Sequence, residues 1–68
     1  MKMLDVVAMV VDVPEAHLAK GQVGTVVEEL DDAVVLVEFA GLDGVAYALE
    51  PIPLTKLMAL RHAPAMAA

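Results

Sequence analysis

Apolar residues in this chain come in short β-branched runs, divided by small clusters of Gly, Pro and Asp. The first run, Leu4–Val11, holds four valines. It predicts a strand, because two heavy atoms on Cβ suit a pleated backbone better than a helix. Asp12-Val13-Pro14 ends the run, since proline cannot donate to a ladder and restricts the residue before it. Pro14–Lys20 is a long first loop, with one helical turn predicted at Glu15–Leu18 and Leu18 plugging the end of the barrel. Gln22–Leu30 predicts the second strand, and Asp31-Asp32 its turn. Val34–Ala40 is the third strand, Gly41–Gly44 a hairpin turn with a glycine at each end, and Val45–Leu49 the fourth strand. Pro51 and Pro53 bar a central strand. Leu54–Lys56 suits a short 3-10 turn, and Leu57–Arg61 a closing strand. The prediction is one small domain over residues 1–62, followed by a frayed tail at 63–68 that has little to bury.

Gly21 and Gly24 flank the start of the second strand. There a missing Cβ permits positive φ or a close approach of another strand. With Gly41 and Gly44 they are assigned structural turn roles. Five short strands, a long first loop, tight hairpins and a 3-10 turn before the last strand predict an all-β fold: a small antiparallel barrel. Its order resembles the Src-homology-3-like barrel. An oligonucleotide-binding-type barrel would need a helix between the third and fourth strands, for which Gly41–Gly44 has no room.

The strand faces carry the functional signal. An antiparallel strand with one wet side alternates apolar and polar residues. Here Val6, Ala8 and Val10 oppose Val7, Met9 and Val11, and both sets are apolar. In the third strand Val35, Val37 and Phe39 oppose Val34, Leu36 and Glu38. Of the 68 residues, 60% are hydrophobic, and the mean hydropathy is +0.75. A chain this short buries only about 60% of its unfolded surface, so apolar residues are left over for an interface. The expectation is a homo-oligomer, or a complex with another protein, through Val7, Met9, Val11, Leu36, Val45 and Tyr47. The opposite strand parity is the alternative.

Charge and chemistry narrow the function classes. The net charge is −6, with only Lys2, Lys20, Lys56 and Arg61 as cations. Phosphate neutralisation needs clustered Lys and Arg, so a nucleic-acid partner is not expected. Absence of cysteine removes disulfides and thiolate zinc sites and suits a reduced, cytoplasmic setting. Asp5 and Asp12 interrupt Met3–Val13, so neither a spanning helix nor a signal peptide is expected. Glu28-Glu29-Leu30-Asp31-Asp32 lacks the spaced loop that converges oxygens on Ca²⁺ or Mg²⁺. It is assigned as a solvated acidic hairpin. His17 and His62 have no partner imidazole at helical spacing. Serine is absent, and Thr25, Thr55 and Tyr47 are the only hydroxyl residues, so an acyl-transfer triad lacks raw material. No enzymatic activity, metal or cofactor is expected. Phe39 and Tyr47, the only aromatics, are assigned to packing.

Leu4-Asp5-Val6-Val7-Ala8, Asp12-Val13-Pro14-Glu15, the run Leu18–Glu28, Val37-Glu38-Phe39 and Gly44 together resemble a family of small stand-alone bacterial proteins of unknown function, over residues 3–60. The resemblance implies a barrel and brings no activity. Family members are more polar just after the hairpin glycine, where this chain has Val45-Ala46-Tyr47. A looser likeness is to KOW-type barrels, in which a Lys-Gly pair precedes a Gly-x-Val-Val strand. There the loop is basic where this chain has Glu28, Glu29, Asp31 and Asp32. Similar barrels serve as small subunits or appended domains of nitrile hydratase and ferredoxin–thioredoxin reductase, a likeness of fold alone. The resulting expectation is a self-associating interaction or accessory module; the alternatives are a small subunit or regulator of a larger enzyme and, ranked last, a KOW-like nucleic-acid-binding barrel that would use Lys20, Lys56 and Arg61.

Overall fold

The computed structural model describes residues 1–41 and 46–60, with Tyr47 described by its backbone alone. Five strands form: β1 (Val6–Met9), β2 (Val23–Glu29), β3 (Val34–Ala40), β4 (Ala46–Pro53) and β5 (Leu57–Ala59). Short 3-10 turns occupy Pro14–Ala16 and Leu54–Lys56. All pairings between the strands are antiparallel, in one sheet of order β4-β3-β2-β1-β5. The all-β fold, the long first loop and the 3-10 turn before the last strand are as expected. The ladder itself is open, with β4 and β5 at its two edges.

These two edge strands are joined by only three residues, so the sheet has to coil to bring them together. The Leu54 N–H donates to the Ala33 carbonyl at 2.8 Å, and the Val10 N–H donates to the Lys56 carbonyl at 3.0 Å. The 3-10 turn is thereby tied both to the start of β3 and to the end of β1. A register shift between Val26 and Glu28 lets β2 bend at the point where the coil requires it.

β2 is one residue shorter than expected at each end and β5 stops at Ala59, before Leu60; β4 and β1 depart further. β4 runs on to Pro53 rather than stopping at Leu49. Proline is excluded only where the ladder needs its N–H. β4 pairs with β3 alone, so the nitrogens of Pro51 and Pro53 face the open edge and blunt it against further pairing.

β1 is shorter than Leu4–Val11 because its start is a bulge. The Leu4 N–H donates to the Val26 carbonyl at 2.6 Å, and the Val26 N–H donates to the Asp5 carbonyl at 2.9 Å. Two residues thus oppose one, and the first of them, Leu4, is left-handed at φ 72°. Glycine ordinarily fills that place in a bulge of this kind. The preceding turn is closed by the Asp5 N–H donating to the Lys2 carbonyl at 3.1 Å and by the Lys2 N–H donating to Asp5 Oδ2 at 2.8 Å.

The core lies on one face of the coiled sheet. Phe39, Met9, Val7, Val26, Val35 and Val37 are fully enclosed, with Leu18, Ile52 and Leu57 beside them. The alternative parity therefore holds for β1: Val7 and Met9, expected on the outside, are core residues. The register supplies the reason. Val7 pairs with Gly24 and Met9 with Leu57, on the same side as Val26 and Val37, which pair with each other. Only this side of β1 meets enough apolar area to be covered.

Gly21 has φ +90°, in a turn closed by the Gln22 N–H donating to the Ala19 carbonyl at 3.0 Å. A Cβ there would meet nothing within 4 Å, so substitution carries only the backbone term. Gly21→Ala is expected to destabilise by about 1 kcal/mol, read as a fall of about 5 °C in the thermal midpoint.

Candidate functional site

The register defines what the other face of the sheet presents. Met58 of β5, Ala8 of β1 and Val23 of β2 stand in one row across three strands. Adjacent strands lie about 4.8 Å apart, so the row is continuous. Met58 is 52% exposed and Val23 48%, while Ala8, small and flanked by both, is 8% exposed. In the next row Val6 pairs with Thr25, Thr25 with Glu38, and Glu38 with Leu49. Leu49 is 54% exposed. A third row runs Glu28, Leu36, Pro51.

Charge is unevenly distributed over this face. β1 and β5 contain no ionisable side chain. The strand carboxylates on this face are Glu28 of β2 and Glu38 of β3, whereas Glu29 and Glu50 pair with the core residues Val35 and Val37 and belong to the other side. The part of the sheet built from β5, β1 and the start of β2 is therefore an apolar, uncharged surface. It belongs to a chain of net charge −6. Ahead of the start of β1 the bulge leaves Leu4 73% exposed, with Met3 beside it at 58%.

Only part of the set expected at an interface is on this surface. Val7 and Met9 are inside, as described. Leu36 lies on the outer face, half-buried, and Val11 lies beyond β1, exposed. Val45 and the side chain of Tyr47 are outside the described residues, as are Gly44, His62 and the tail from 63 onwards. Gly41 is exposed. The sequence reading missed Val23, Met58 and Leu4. Parity in β2 was available from Gly24, whose bare backbone belongs on the crowded side, which puts Val23 and Thr25 opposite. β5 spans three residues, too few to show a periodicity, and Leu4 opens a β-branched run whose composition predicts strand.

The candidate chemical groups do not come together. Asp31 Oδ1 accepts hydrogen bonds from the N–H groups of Ala33 (2.7 Å) and Val34 (2.9 Å), which makes it a turn former. His17 is exposed and left-handed at φ 57°, its N–H donating to the Pro14 carbonyl at 3.0 Å. Its structural part is to end the first 3-10 turn. Lys20 donates its N–H to Asp12 Oδ1 at 2.8 Å, and Ala19 donates its own to Gln22 Oε1 at 2.9 Å, which fixes the second turn. Thr25 is half-buried on β2 and Thr55 exposed on the 3-10 turn. Phe39 is core. Among the described residues, no three His, Cys, Asp or Glu side chains converge as metal ligands, and no pocket opens. No helix among them is long and apolar enough to cross a membrane.

The family model described as Domain of unknown function (DUF4926) matches residues 3–59, and the chain belongs to that family. No curated protein and no solved structure matches the chain.

Proposed function

We propose that this family member is a non-enzymatic interaction module that self-associates through the outer face of β5, β1 and β2. The observation that carries this reading is the apolar, uncharged row Met58–Ala8–Val23 on an acidic chain, with Met58 and Val23 about half exposed on either side of a covered Ala8. Burial of apolar area releases about 25 cal/mol per Å². A standard interface covers about 800 Å² per partner, which is about a sixth of the 4775 Å² surface of this chain. A two-fold arrangement uses the same patch on both copies, and the larger side chains of one row then cover Ala8 of the other. The arrangement we favour for the chain is Src-homology-3-like, supported by the return of β5 to β1 through the 3-10 turn. Absence of cysteine supports a reduced, cytoplasmic setting. Nucleic acid is not part of this reading, because the acidic residues of β2, β3 and β4 share the sheet with the patch and would repel phosphates.

Met58→Lys and Val23→Lys test the reading. Both positions are about half exposed, so the fold should tolerate the change within about 0.5 kcal/mol. Each lysine introduces a charge that association would have to desolvate. Size-exclusion chromatography with light scattering should show an assembled wild type and monomeric variants. Variants that assemble as the wild type does would remove this face from the account.

A further inference from the structure

We draw no further inference here: the strongest candidate, the exposed apolar patch of Met3 and the left-handed Leu4 in the bulge ahead of β1, lies beside Asp5, and nothing in the structure shows what covers it.

Discussion

Phe39→Ala should lower the stability of the chain by about 3–5 kcal/mol. A domain of this length has about 3–10 kcal/mol in total, so the variant should be largely unfolded, or unfold at the first additions of urea. Phe39 is fully enclosed, and it sits against the bare backbone of Gly24, where a Cβ would come within 2.9 Å of its ring. Removal of the ring opens a cavity at the junction of β1, β2 and β3. The strands that would have to close it are held by ladders on both sides, so collapse is incomplete. Phe39→Leu keeps most of the volume and should lose far less, about 1 kcal/mol. Urea denaturation followed by circular dichroism checks both. A Phe39→Ala chain within 1 kcal/mol of wild type would mean that the core is not organised around this ring.

Gly24→Ala should be the second most damaging single change, about 3 kcal/mol, although it adds only one methyl group. The new Cβ would lie 2.6 Å from a methyl of Val37 and 2.9 Å from both the Glu38 carbonyl oxygen and the Phe39 ring. The Val37 side chain has no free rotamer, because it is itself enclosed, and the Glu38 carbonyl is part of the β2–β3 ladder. The cost has to be met by separating two strands. The thermal midpoint should fall by about 12–20 °C, against about 5 °C for Gly21→Ala. That contrast separates two uses of glycine three residues apart. Gly21 supplies a backbone angle in open space, and Gly24 supplies room in a crowded one. Equal effects of the two substitutions would contradict the assignment.

Much of the fold was legible because local rules and the global result agree. Val34–Ala40 was read to the residue, since Asp31-Asp32 and Gly41 bracket a β-branched run. Leu54–Lys56 was legible because two prolines before it leave few other conformations. The extent of β4 was not, because whether Pro51 and Pro53 end a strand depends on whether that strand is an edge. That is a property of the sheet, not of the segment. The bulge at Leu4 was equally hidden, since its signature residue is glycine and the chain has leucine there.

Parity was the harder problem, and it decided the candidate surface. β1 is apolar on both faces, so alternation gave no answer, and Val7 and Met9 were assigned to the wrong side. Their true side is set by the partners across the ladder, Gly24 and Leu57. β3 carries Glu38 on one face, and that single charge was enough to place Val35, Val37 and Phe39 inside and Leu36 outside. A chain so rich in aliphatic residues shows that it has surface to cover more readily than it shows which surface.

Sedimentation equilibrium of the wild-type chain, from low micromolar to near-millimolar concentration, tests the central claim most directly. The account predicts a mass that rises with concentration towards at least twice the 7.1 kDa of one chain, and a rise that Met58→Lys abolishes. A wild type that holds the mass of a single chain throughout would contradict it.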